Sequence, residues 1–218
     1  MVDITRALAI DGFIDLGDFY PEATTLEAAN RIGAELGCRL WKQPESLTVN
    51  PTTAKPPNTY AGNYGMGELP LHTDLAHWHI PPRYLMLRCL IGDPAVATLV
   101  VHHREALRDV SVGTLDRAMF RPRRRLDGHM FLLHLRQRGI FRWDRLFLVP
   151  ANNEARQVRV ALVDQPLPCR VAEIILDKPG RTILIDNWTT LHGRSAAGKS
   201  PSDRRIERAY FSGEENDE

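Results

Sequence analysis

His72-Thr73-Asp74 and, 118 residues after Asp74, the His192 of Asn187-Trp188-Thr189-Thr190-Leu191-His192-Gly193-Arg194 supply two imidazoles and a carboxylate. Two histidines and one carboxylate can occupy one face of an iron(II) ion and leave three positions open. A third segment, Arg204-Arg205-Ile206-Glu207-Arg208, follows closely. Guanidinium groups hold carboxylates through paired charge-assisted hydrogen bonds, so two arginines can keep a dicarboxylate co-substrate against those open positions. The combination points to oxygen chemistry on iron.

The His-x-Asp pair is a weak signal alone. With 8 His and 27 acidic residues among 218, roughly one His-x-acid pair is expected by chance, and two occur. Residues i and i+2 share a side of a strand but not of a helix. His103-Arg104-Glu105 runs into Ala106-Leu107-Arg108, which reads as the start of a helix, and is taken as the chance pair. His72-Thr73-Asp74 follows the glycines between Gly62 and Gly67 and precedes Pro81-Pro82, so a strand end or loop is expected there.

The elements that must position these residues are mostly short strands. Strand-like runs cover Tyr84 to Leu90, Ala97 to Val101, Arg145 to Val149, 171–176, 181–186 and Ile206 to Phe211. The pair 171–176 and 181–186 is joined by the turn Asp177-Lys178-Pro179-Gly180. Residues 7–16 read as a further short strand broken at Gly12. Thr24-Thr25-Leu26-Glu27 predicts a capped helix through Ala28, Ala29, Ile32 and Leu36, ended by Gly37. A short helix is expected over 104–109, and residues 43–70, rich in proline and glycine, read as a long loop. Many strands and few helices predict a mainly β fold with flanking helices, a jelly-roll or cupin-like double-stranded β-helix in which sequence-distant strands become neighbours.

Composition sets the bounds. Apolar content of 43% and charged content of 25% are those of an ordinary soluble globular chain. A formal net charge of +1 gives no field that would draw nucleic acid. No apolar run reaches the length of a membrane span, and the first residues lack a signal-peptide layout. Cys38, Cys89 and Cys169 are odd in number and far apart, which suits a reduced cytoplasmic setting. A single domain over 1–212 is expected, followed by an acidic frayed tail at 213–218.

In order and spacing, Leu71-His72-Thr73-Asp74, Pro81-Pro82, Leu85 to Leu90, Thr98, Ile185-Asp186-Asn187, Leu191-His192-Gly193-Arg194, Arg204 and Arg208 resemble the taurine dioxygenase-like family (TauD/TfdA and clavaminate synthase-like proteins). The resemblance spans roughly residues 8 to 212. It implies an iron(II)/2-oxoglutarate-dependent dioxygenase that uses O2 to hydroxylate a small polar or anionic molecule, releasing succinate and CO2. It further implies His72, Asp74 and His192 as iron ligands, and Thr98, Arg204 and Arg208 as contacts of 2-oxoglutarate. Arg204 would be the clamp on its distal carboxylate and Arg205 would face outward. Family members usually carry glycines just before the threonine, where this chain has Pro94-Ala95-Val96-Ala97.

Other readings of the same residues stand beside this one. A zinc-dependent hydrolase could use the same cluster of His72, Asp74 and His192, a zinc site could instead use His72, Asp74 and His77, and a jelly-roll binding module could keep the fold without catalysis. His77, His79, His102 and His103 read as pocket wall or surface. Residues 115–150 hold nine arginines, no lysine and three aspartates; this basic insert, like the 43–70 loop, is a candidate lid, able to attract an anionic substrate. Only 93 residues separate Thr98 from His192, which leaves room for a second subunit of a homo-oligomer to cover the site.

Overall fold

The computed structural model describes residues 3–48, 56, 59–125, 128–198 and 203–212. The acidic tail and residues 49–55, 57 and 58 of the proline-rich segment lie outside them. In chain order the elements begin with α1 (Ile4–Asp11), β1 (Phe13–Asp18), α2 (Thr25–Leu36), β2 (Glu45–Thr48), α3 (Tyr60–Tyr64) and β3 (Leu69–His72). Then come β4 (Tyr84–Ile91), β5 (Ala97–His102), α4 (His103–Ala106), α5 (Val112–Arg117), β6 (Met119–Pro122), β7 (Leu133–His134), β8 (Arg136–Gln137) and β9 (Ile140–Phe141). The chain closes with β10 (Leu148–Pro150), α6 (Asn153–Arg159), a π-helical turn, β11 (Ala172–Ile175), β12 (Arg181–Asp186), β13 (Thr190–Arg194) and β14 (Arg205–Phe211).

Two antiparallel sheets form a jelly-roll core. One has the order β1-β12-β4-β14-β2 and the other β11-β5-β13-β3. Strand side chains alternate between faces, and the burial follows. Leu85, Leu87 and Cys89 of β4, Ile183 and Ile185 of β12, and Ile206 and Tyr210 of β14 pack toward Val100 of β5 between the sheets. Tyr84, Met86, Leu184, Ala209 and Phe211 point the other way, onto Ile4 and Leu8 of α1 and Ala29 and Ile32 of α2. Strands buried on both faces read as continuous apolar runs, which is why β4 and β12 stand out in the sequence. Val101 and Leu191 on the outer face of the smaller sheet meet Leu107, Phe120, Phe141, Trp143 and Val158.

Residues 7–16 are not one broken strand. Asp3 caps α1 by accepting from the Arg6 amide, Ile4 and Leu8 form its buried stripe, and Gly12 ends it in the left-handed region at φ 77°. The alternation of 7–16 is a helix end running into β1. The helix expected over 25–36 is present as read: Thr24 and Glu27 form a capping box and Gly37 closes it. The helix expected over 104–109 is only α4, the strand expected at 145–149 is only β10, and helices are more numerous than expected. Residues 43–70 are not all loop, because β2 and β3 add edge strands to the two sheets. Among the described residues no helix is long and apolar enough to cross a membrane.

The loops are tied down by buried arginines. Arg88, 1% exposed, donates to the carbonyls of Phe19, Tyr20, Ala23 and Gly180 and to Thr182 Oγ1. One side chain on β4 thereby joins the β1–α2 loop to the turn before β12. Arg88→Met keeps the bulk and removes every donor, leaving several carbonyls without partners. We expect a loss of stability on the order of 3 kcal/mol, read as a lower urea midpoint at unchanged m-value.

Candidate active site

β13 pairs with β3 on one side, placing His192 opposite His72, and with β5 on the other, placing Arg194 opposite Thr98. Direct partners share a face, so two histidines, an arginine and a threonine look into the interior between the sheets. Facing them from the larger sheet is the inner side of β14 with Ile206, Arg208 and Tyr210; Arg204 immediately precedes that strand. Gly193 makes the close approach possible, because a Cβ there would lie 2.6 Å from the Leu69 carbonyl oxygen of β3.

The imidazoles of His72 and His192 lie with ring centroids 4.5 Å apart. His72 Nδ1 is 2.8 Å from the Pro70 carbonyl oxygen. A carbonyl can only accept, so this nitrogen carries a proton and Nε2 is the atom turned to Asp74; burial alone would lower the ring's pKa, but Asp74 outweighs it and raises it. That Nε2 is 3.4 Å from Asp74 Oδ1, and His192 Nε2 is 3.8 Å from Asp74 Oδ2. The three ligand atoms all lie within 4.8 Å of one another, and all three residues are buried. Among the described residues no other His, Cys, Asp or Glu joins them.

The backbone carrying Asp74 is fixed from several directions. The Asp74 amide donates to Asn187 Oδ1 at 2.7 Å, and Asn187 Nδ2 donates to the carbonyls of Asp74 at 3.0 Å and Pro82 at 2.9 Å. The Thr73 amide donates to the Trp143 carbonyl, and the Trp143 amide donates to Thr73 Oγ1. Arg142 donates to the carbonyls of Ala76, Trp78 and His79. Trp188 Nε1 reaches Pro81.

Asp74 is 3% exposed. Burial alone would raise its pKa. The neighbouring Arg208 cation and the two adjacent histidines outweigh that and hold the carboxyl well below the usual range. His192 goes the other way: burial, helped by His72, lowers its pKa and keeps it neutral. Its Nδ1 is a buried atom with no hydrogen-bond partner among the described residues. Burial also lowers Arg204, with the Arg194 cation adding to the effect, to about 10, so it stays charged at neutral pH.

A cavity of about 330 Å³ opens on this cluster. His72, Asp74, His192, Thr98, Arg204 and Arg208 all line it, so every site residue expected from the sequence is brought to one place. Arg205 is exposed, so the register is the one with Arg204 inward. Arg208 is more engaged than the sequence suggested: Nη1 donates to Asp74 Oδ2 at 3.1 Å and Nη2 to Glu45 Oε2 at 3.0 Å. Thr59, Tyr60, Ala61, Tyr64 and Gly65 line the cavity too, so part of the 43–70 segment forms its wall. None of the arginines of 115–150 lines it; Arg121 and Arg123 to Arg125 are exposed on or beside a small sheet, β10-β6-β7. His77, His79, His102 and His103 stay outside the cluster, with His103 stacked on Phe141 and lowered to about 4 by burial.

Several functional contacts were not expected. Tyr210 donates its hydroxyl to Asp74 Oδ2 at 2.7 Å. Tyr60 leans on the His72 ring at 4.6 Å and donates to Asp144. Arg194 donates to the carbonyls of Gly65 and Gly67 and so pins the covering segment. The partners are 136, 84 and 129 residues apart, so no local pattern could show them.

No family model matches this chain, and no curated protein matches it. The fold is shared with solved iron oxygenases. An asparagine oxygenase in complex with Fe(II), 2S,3S-3-hydroxyasparagine and succinate superposes at TM-score 0.68 with 20% identity, over 95% of this chain and 77% of that one. The non-heme iron oxygenase OrfP, with Fe, succinate and (3S)-hydroxy-L-Arg, matches at TM-score 0.58 and 20% identity, over 77% of this chain and 55% of the other. In that match this chain spans little more than half of its neighbour's length. PvcB of Pseudomonas aeruginosa matches at TM-score 0.55 and 18% identity, over 84% and 70%. At these identities the likeness shows the jelly-roll fold.

Gly193→Ala tests the close approach of β3 and β13. The added methyl must push the Leu69 backbone away and so part His72 from His192. We expect a stability loss of about 1–3 kcal/mol together with loss of divalent-ion binding, checked by urea denaturation and by Co(II) titration.

Proposed function

We propose that this protein is an iron(II)- and 2-oxoglutarate-dependent dioxygenase of the taurine dioxygenase-like type. It hydroxylates an aliphatic C–H bond of a small polar or anionic molecule, an amino acid or another carboxylate, with release of succinate and CO2. The observation that carries this is one cavity shared by two chemistries: a buried three-ligand cluster and, lining the same space, Thr98 and Arg204. Residues 1–212 act in this reading as one unit. A cytoplasmic setting is part of this reading.

The residues present fit both implied groups. Two imidazole nitrogens and an ionised carboxylate suit a divalent iron, and among the described residues no fourth protein ligand closes the cluster. The buried cation of Arg204 beside a threonine suits a carboxylate. His72, Asp74 and His192 would hold the metal; Arg204 and Thr98 would hold the distal carboxylate of 2-oxoglutarate. When bound, iron(II) and 2-oxoglutarate together activate O2 toward an otherwise inert C–H bond.

The chain's own part is holding, orienting and drying. His72 presents Nε2 because Pro70 holds the Nδ1 proton. Arg208 lies against Asp74, so its role at the co-substrate is electrostatic support of the metal-side end. Leu85, Leu87 and Ile206 line the space with hydrocarbon, and the Tyr60 ring lies against His72. Excluding water in this way strengthens every charge interaction inside. A zinc hydrolase on the same cluster would leave Arg204 and Thr98 without work, and a zinc site through His77 is not favoured because His77 lies outside the cluster. A pure binding module would need no buried triad.

Two measurements test this. Anaerobic addition of iron(II) and then 2-oxoglutarate should produce a visible metal-to-ligand charge-transfer band, absent in His192→Ala; no band in the native protein would sink the proposal. Arg204→Ala should weaken 2-oxoglutarate binding about ten- to hundredfold, the scale of losing a charge-assisted pair, whereas Arg205→Ala should leave it unchanged. A panel of amino acids, sulfonates and small carboxylates, read by succinate formation, would identify the substrate.

A further inference from the structure

Asp74 is held asymmetrically. Oδ2 takes both the Tyr210 hydroxyl at 2.7 Å and Arg208 Nη1 at 3.1 Å. Oδ1 has the His72 Nε2 at 3.4 Å and no such donors, while His192 Nε2 stands 3.8 Å from Oδ2, beyond hydrogen-bond distance. Tyr210 is 2% exposed and reaches Asp74 because β14 alternates: Ile206, Arg208 and Tyr210 share its inner face. Its ring is confined by three neighbours. The Arg208 guanidinium lies 4.7 Å from the ring centre, Lys42 Nζ 5.6 Å, and the Trp41 ring packs at 6.1 Å. Cations over the ring face and an aromatic edge leave the hydroxyl little freedom to turn away.

We propose that Tyr210 is a positioning residue for the metal-binding carboxylate: with Arg208 it occupies Asp74 Oδ2, so that Oδ1 is the oxygen offered alongside His72 and His192. This rests on the metal centre proposed above. Rotation of the carboxylate to present both oxygens breaks two charge-assisted hydrogen bonds at once. Retaining them keeps the carboxylate to one ligand atom and leaves the remaining positions of the ion toward the cavity. Tyr210 touches neither co-substrate nor substrate in this scheme; it acts only through Asp74, as partners of metal-ligating carboxylates do.

Co(II) chloride titration of the full chain provides the test, because cobalt(II) ligand-field bands report ligand number and geometry. Tyr210→Phe keeps the ring and removes only the hydroxyl. The expected result is a ten- to hundredfold weaker Co(II) affinity with an altered visible spectrum, in a chain that when metal-free still unfolds cooperatively in urea, at a lower midpoint because the buried carboxylate has lost one hydrogen bond. Native affinity and an unchanged spectrum in Tyr210→Phe would overturn the assignment. If Tyr210→Phe does not fold, Tyr210→Met reads the same affinity without the hydroxyl. No Co(II) binding by the native chain would instead refute the metal centre itself, so the two failures are told apart.

Discussion

The rest of the site follows from one desolvated charge. Asp74 sits almost fully out of water in the space between two sheets. An isolated carboxylate there would take up a proton rather than stay ionised. It stays ionised because Arg208, Tyr210 and two histidines surround it. All of these neighbours stabilise the buried anion, and they come from three separate strands. His72 precedes it on β3, His192 comes from β13, and Arg208 and Tyr210 come from β14. The fold has to bring three strands to one carboxylate.

A rolled antiparallel sheet does this by its connectivity. β3 and β13 are far apart in sequence but direct partners, and β14 faces them from the opposing sheet next to β4. Period-two alternation supplies the aim. Once β14 has the Arg204-inward register, Arg208 and Tyr210 are inward as well, and Arg205 is outward. A one-residue slip would reverse all four. The register is held by Ile206 packing between the sheets while Ala209 and Phe211 pack on the helices. Apolar burial on both faces of one strand therefore determines where the arginines point.

What the sequence made legible was local or repeated. The α2 helix could be read because its start and stop signals lie within it: Thr24, Glu27 and Gly37. The strands β4 and β12 could be read because both faces are apolar. The triad and arginine pair were readable as residue types at strand spacing. The α1 helix was misread because two turns of helix beside a strand can mimic alternation over ten residues. β2 gives no local sign because it exists by pairing with β14 some 160 residues later. The arginine count in 115–150 misled in a different way. Arg142 is one of the nine, yet it is buried and donates to three carbonyls around Ala76 to His79, so it is cement rather than field. A charge total cannot separate a solvated arginine from one whose charge is absorbed by backbone oxygens.

Charge balance joins the two ends of the cavity. Arg208 lies between Asp74 and Glu45, and Arg194 gives its donors to the carbonyls of Gly65, Gly67 and Ser195. Among the described residues Asp74 is the one carboxylate in the cavity lining, and three arginines, Arg194, Arg204 and Arg208, line it too. One carboxylate against three guanidinium groups makes the lining net positive, which suits an anionic guest in a space where water screens little. Under the proposed loading, a divalent metal would lie against Asp74 and a dicarboxylate would face the arginines. Each guest would then lower the cost of burying the charge of the other, because both meet the same weakly screened field.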